Sequence, residues 1–115
     1  MPRLLFCLLT CTLFAQEAGD LAQSLKSPRQ RIDALDSQIV KLLNERAQIV
    51  REVGEIKKRF HAPAGAPGRE EEVLRQVASQ ARAPLTGDEM RKIYQAILAE
   101  MTSMEQREMA SQPPK

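Results

Sequence analysis

From Arg29 to His61 the chain carries no proline and a single glycine, Gly54, a run too long and too unbroken for anything but one extended helix. Apolar residues recur along it at Ile32, Leu35, Ile39, Leu42, Ile49, Val53, Ile56 and Phe60, stepping by three and four, while Arg46 stands where the pattern asks for another aliphatic. At 1.5 Å per residue such a helix is about 50 Å long. The rest of the chain cannot cover it, because a 100-residue globule has a radius of gyration of only ~13 Å. A second chain must cover it, and a symmetric homodimer is the commonest solution.

The other elements follow from punctuation. Ser27-Pro28 reads as the start of the long helix, with Ser as cap and Pro at the first helical position, the chain becoming helical near Leu25. The stretch Ala62-Pro63-Ala64-Gly65-Ala66-Pro67-Gly68 breaks the helix. A second helix is expected over residues 69–81, with Glu70, Glu71 and Glu72 near its positive end and Val73, Leu74, Val77 and Ala78 as its apolar stripe, closed by Ala83-Pro84. Thr86-Gly87-Asp88-Glu89 is a capping box opening a third helix, whose stripe runs Met90, Ile93, Tyr94, Ile97, Leu98, Met101 and Met104. Residues 107–115 read as a flexible tail. Aromatics are 3% of residues and Trp is absent, so Leu, Ile, Val, Ala and Met supply the core, a mix that suits helix-on-helix packing. The expected fold class is all-α: a three-helix chain with one long N-terminal helix, intertwined with a second copy.

The first residues differ in character. Arg3 precedes an almost wholly apolar run from Leu4 to Ala15, the order of a secretory signal peptide occupying residues 1–18, with cleavage after Ala15 or Ala18. The run spans about 18 Å, short of a ~30 Å hydrocarbon core, so no stable membrane anchor is expected and the product is exported, periplasmic or secreted. Both cysteines, Cys7 and Cys11, lie in this segment, which leaves the mature chain no disulfide or thiol nucleophile. Loss of Arg3 would take the formal charge from +2 to +1, so charge offers no argument for nucleic acid as a partner.

The chemically informative residues are charges on apolar faces. Lys57 lies eleven residues beyond Arg46, only about 20° away in azimuth and about 16 Å along the axis. Two long cationic side chains leaning together there could hold a small anion, or could be an ion-paired feature of the helix seam. Glu70 falls three, four and seven residues before Val73, Leu74 and Val77, on the apolar side of its helix. Glu105 falls four beyond Met101 in the same way. Each acid has the alternative of a solvated surface position. His61 sits at the end of the long helix, where a capping role fits. No Ser-His-Asp set, Gly-rich phosphate loop or metal-ligand cluster occurs in the sequence.

Four segments in order, Arg29-Gln30-Arg31-Ile32-Asp33-Ala34-Leu35-Asp36, Leu42-Leu43-Asn44-Glu45-Arg46, Val53-Gly54-Glu55-Ile56-Lys57-Lys58 and Arg69-Glu70-Glu71-Glu72-Val73-Leu74, resemble the AroQ-type, or type II, chorismate mutases across residues 25–106. The resemblance implies an intertwined homodimer with two sites, each completed by an arginine from the partner's long helix. Arg29 matches that donated arginine, and along one straight helix it would lie about 25 Å from Arg46, too far to share a small pocket in cis. By the same resemblance Arg29 and Arg46 clamp the substrate's two carboxylates, and Lys57 meets the ether oxygen and a carboxylate. Arg69 supports the site electrostatically, Glu70 binds the ring hydroxyl, and Glu105 stands beside the ether oxygen. Ala66 and Met101 replace the Asp and Ser common in the family, which bears on affinity more than on activity.

The implied reaction is the rearrangement of chorismate to prephenate, a pericyclic step that needs neither nucleophile nor cofactor. Catalysis would consist of holding a compact conformer and stabilising negative charge on the breaking ether oxygen. An ionised carboxylate cannot donate a hydrogen bond, so Glu105 would assist in its protonated form. The related alternative is an isochorismate pyruvate lyase, and the alternative outside catalysis is an exported helical dimer that serves only in binding.

Overall fold

A computed structural model describes residues 3–111, with side chains described from Phe14 onward. Its three helices are α1 (Arg3–Arg59), α2 (Pro67–Gln80) and α3 (Gly87–Ser111), and the described residues include no strand. None of these helices is long and apolar enough, over the described residues, to cross a membrane. The expected signal segment, with Cys7 and Cys11, falls mostly outside the described side chains, and residues 112–115 of the expected tail lie outside the described residues altogether.

The chain divides into two units, Met1–Leu42 and Leu43–Lys115, and α1 contributes to both. In the first unit the expected helix start at Ser27-Pro28 is corrected, because α1 continues through Pro28. Proline there removes one backbone hydrogen bond and crowds the carbonyl of Ser24, a cost of about 3 kcal/mol. That penalty is local, and Ala15, Gln16, Glu17, Ala18, Leu21, Ala22 and Gln23 ahead of it are good helix formers. Nearly all the described side chains of this unit are exposed. Ile32, Leu35, Ile39 and Leu42 each leave more than half their surface to solvent.

In the second unit the end of α1 packs on α3 through a face different from the aliphatic seam. Leu43, Arg46, Ala47, Val50, Lys57 and Lys58 are half-buried and Gly54 is buried. Ile49, Val53, Ile56 and Phe60, about 100° away around the helix, are exposed. Gly54 permits the approach: a Cβ there would stand 3.3 Å from the Cγ atoms of both Glu105 and Met109. Arg51 pairs with Glu108 at 3.3 Å beside this contact.

Helix α1 stops by backbone capping. His61 takes a positive φ of 52°, the amide of Ala62 donates to the carbonyl of Lys57 at 2.9 Å, and that of His61 to Lys58 at 3.2 Å. These are the two reversed bonds of a Schellman motif, with His in the left-handed position that glycine usually holds. Lys57, Lys58 and Arg59 place positive charge at the same negative helix end.

Helix α2 begins at Pro67, two residues before the expected Arg69, because proline without an N–H suits the first helical turn. Leu74 is buried and Val73, Val77 and Ala78 half-buried, as the stripe predicts. The capping box forms: the Thr86 amide donates to Glu89 Oε2 at 2.8 Å and the Glu89 amide to Thr86 Oγ1 at 3.1 Å. Gly87 lets the start of α3 close on α2, since a Cβ there would meet the Ala78 carbonyl oxygen at 3.0 Å. Arg91 ties the helices together with bonds of 3.0 and 2.8 Å to the two carboxylate oxygens of Glu71. Along α3, Leu98 is buried and Met90, Tyr94, Ile97, Met101 and Met104 are half-buried, but Ile93 is about half exposed and stands off the stripe. The helix also runs past Gln106, where fraying was expected, to Ser111. Among the described residues only Leu74 and Leu98 are buried hydrophobics, so this core is thin.

Candidate active site

The last turn of α1, the loop before α2, the first turns of α2 and the second half of α3 converge in the second unit. Lys57 reaches across from α1 and donates to Glu105 Oε1 on α3 at 2.7 Å and to the Gly65 carbonyl at 3.2 Å. The side chains are 18% and 6% exposed, so this is a shielded ion pair rather than a surface contact. Glu105 is therefore no solvated acid on a fraying end, the alternative open to it from the sequence.

A second contact adjoins the first. Thr102, three residues before Glu105 on α3, donates its hydroxyl to Glu70 Oε1 on α2 at 3.1 Å. Gly65 links the two contacts: its carbonyl receives Lys57, while a Cβ built on it would stand 3.4 Å from Thr102 Cγ2 and 3.9 Å from Glu70 Oε1. Its φ of +79° is a conformation that side-chain-bearing residues rarely adopt. Lys57, Gly65, Glu70, Thr102 and Glu105 thus form one contiguous polar cluster. Among the described residues no fully buried side-chain nitrogen or oxygen lacks a hydrogen-bond partner, and this holds for the buried atoms of the cluster.

The other expected residues stand at varying distance from it. Arg46 is half-buried on the same face of α1, three turns before Lys57, and Met101 is half-buried one turn before Glu105. Arg69 turns instead to Glu72 at 3.0 Å and is 62% exposed. Arg29 is exposed on the first unit. Ala66 occupies the N-cap position of α2 and makes no side-chain capping bond.

Two residues escaped the sequence reading. Thr102 was hidden by its neighbour Met101, which occupies the position where the related family has Ser. Gly65 acts through its carbonyl, which no residue pattern announces. A hollow lined by Arg51, Gly54, Glu55, Lys58, Glu105, Glu108 and Met109 has a cavity volume of only ≈ 10 Å³, scarcely room for one water, and offers no substrate site. An ion pair between α2 and α3 lies away from the cluster. There the Arg91 guanidinium, hydrogen-bonded to Glu71, holds that carboxyl below its usual range, and Glu71 raises Arg91 in return.

A family profile described as chorismate mutase type II matches residues 28–106. The bifunctional chorismate mutase/prephenate dehydratase of Aquifex aeolicus is 32% identical over 89 residues, and that of Stutzerimonas stutzeri 34% over 90. Each alignment covers 74% of this chain and 25% of the relative, so the chain spans about a quarter of the length of the relatives it matches. Among solved structures, the chorismate mutase from Helicobacter pylori in complex with prephenate superposes with a TM-score of 0.71 at 25% identity, covering 77% of this chain and 97% of that one. The Thermus thermophilus chorismate mutase gives 0.69 at 28% identity, covering 72% and 94%. The matched segment takes in α2, most of α3 and the whole Lys57–Glu105 cluster, and the chain belongs to the type II chorismate mutase family.

Proposed function

We propose that this chain is a chorismate mutase that converts chorismate to prephenate in sites completed by a second copy of itself. The observation that carries this reading is the shielded Lys57–Glu105 pair beside Glu70. An ammonium group is fixed from two sides where the breaking ether oxygen would lie, next to a carboxylate suited to a ring hydroxyl. A Claisen rearrangement transfers no group to the protein, so the residues act by orientation and charge. Lys57 donates to the ether oxygen as negative charge grows there, and a donor aimed at developing charge inside a shielded site needs little reorganisation. Arg46 holds a carboxylate, Glu70 accepts the ring hydroxyl and Arg69 adds positive potential.

Charge balance supports the donated arginine. Arg46, Lys57 and Arg69 are offset by Glu70, Glu105 and Glu72 when all six are ionised, which leaves little attraction for a dianion. Arg29 from another copy supplies it. Dimerisation is supported by the exposure of Ile32, Leu35, Ile39, Leu42, Ile49, Val53, Ile56 and Phe60, an apolar series that a monomer would leave in water. Export is supported by the order of Arg3 and the apolar run behind it. The test is to incubate the purified chain with chorismate and with isochorismate. Prephenate from chorismate is the expected product, whereas pyruvate release from isochorismate without prephenate formation would make the chain a lyase, and inertness towards both would make it a binding protein.

A further inference from the structure

Thr102 lies four residues after Leu98 and three before Glu105, both buried, so it belongs to the inward face of α3. A helical threonine commonly turns its hydroxyl back to a carbonyl of the preceding turn. Here the hydroxyl is committed across the helix interface to Glu70 Oε1 at 3.1 Å. Its methyl carbon sits against Gly65, the loop glycine whose carbonyl receives Lys57. The terminal torsion of a glutamate is broad and roughly two-fold, so a carboxylate with neither oxygen held has no fixed direction. Thr102 holds one oxygen of Glu70 and leaves Oε2 to accept from outside the chain.

We propose that Thr102 is a positioning residue for substrate recognition: by fixing Glu70 Oε1 it aims Oε2 at the ring hydroxyl of bound chorismate. The proposal rests on the mutase reading above. That hydroxyl neither breaks nor forms a bond in the rearrangement, so its contact is equally strong in the bound substrate and in the transition state. Such uniform binding appears in KM and not in kcat. A merely structural threonine would instead lower activity towards any substrate.

Thr102→Val keeps the shape and the methyl contact and removes only the donor. KM for chorismate should rise about five-fold, equivalent to ~1 kcal/mol, while kcat stays within about two-fold. Thr102→Ser should restore most of the loss. On a chorismate analogue lacking the ring hydroxyl, the parent and Thr102→Val should behave alike, and in a Glu70→Ala background Thr102→Val should add nothing further. An unchanged KM on chorismate, or an equal loss on both compounds, overturns the proposal. Thermal melts accompany the kinetics, and if Thr102→Val does not fold, comparison of Thr102→Ala with Thr102→Ser on the two compounds decides by the same criteria. A parent chain inert towards chorismate sinks the mutase reading and this proposal together, whereas an active parent with an unmoved KM in the variant sinks the proposal alone.

Discussion

Under the proposed function Lys57 has the most to lose by substitution, since there it donates to the ether oxygen, and its ammonium is held from two sides. Lys57→Ala should lower turnover on the order of 10²- to 10³-fold, the loss typical for removal of one donor to developing negative charge. Steady-state kinetics on chorismate check this, and a loss below about ten-fold would mean that the ether oxygen is served from elsewhere. Glu105 is the more delicate partner. As a carboxylate it accepts from Lys57 and, under the proposed function, would face the developing charge with its own, whereas a glutamine keeps an acceptor for Lys57 and adds a donor at every pH. Glu105→Gln should therefore keep or raise turnover on chorismate at neutral pH, and a loss of more than about ten-fold in kcat would rule this role out. The sequence already marked both residues, because a charge on an apolar stripe stands out against its neighbours. Thr102 was not legible in this way: a polar residue beside a methionine is ordinary on a helix, and its meaning comes only from Glu70 on another element.

At the scale of elements, legibility followed the locality of the signal. The capping box at Thr86 and Glu89 is a four-residue motif, and it forms as read. The start of α1 was misread because Ser27-Pro28 is a good local start, while the competing signal, a run of helix formers before it, is spread over many residues. The covered face of α1 was also not legible. An aliphatic series says that a face is to be buried but not by which chain, and the face meeting α3 advertises itself only through Ala47, Val50 and the isolated Gly54. Between α2 and α3 the Glu71–Arg91 pair makes a testable contribution to stability. Glu71 titrates below its ordinary value of 4.5 in the folded chain because Arg91 hydrogen-bonds the ionised form. A group whose folded value is depressed stabilises the fold above its unfolded value, and this contribution fades as pH falls through the folded one. The melting-temperature advantage of the parent over Glu71→Gln should thus be constant near neutrality and shrink in acid below about pH 4.5. It should be small and reduced by salt, because both partners are solvent-exposed. A gap that widens in acid would contradict the assignment.

At the scale of the whole molecule, a core whose buried hydrophobics, among the described residues, are Leu74 and Leu98 is meagre for a chain of this length. The exposed aliphatic series on α1 is the surface available to remedy it. Sedimentation at micromolar concentration should show a dimer, and a folded, active monomer would remove the basis for composite sites. The most direct measurement of the central claim, that two chains complete each site for the rearrangement, is to mix Arg29→Ala with Arg46→Ala, each inactive alone, under conditions of verified subunit exchange. A heterodimer then contains one site with both arginines intact. Prephenate formation should reappear in the mixture, approaching about a quarter of the parent's specific activity if exchange is statistical and the two substituted chains pair equally well. A mixture that stays as inactive as its components after exchange would contradict the account.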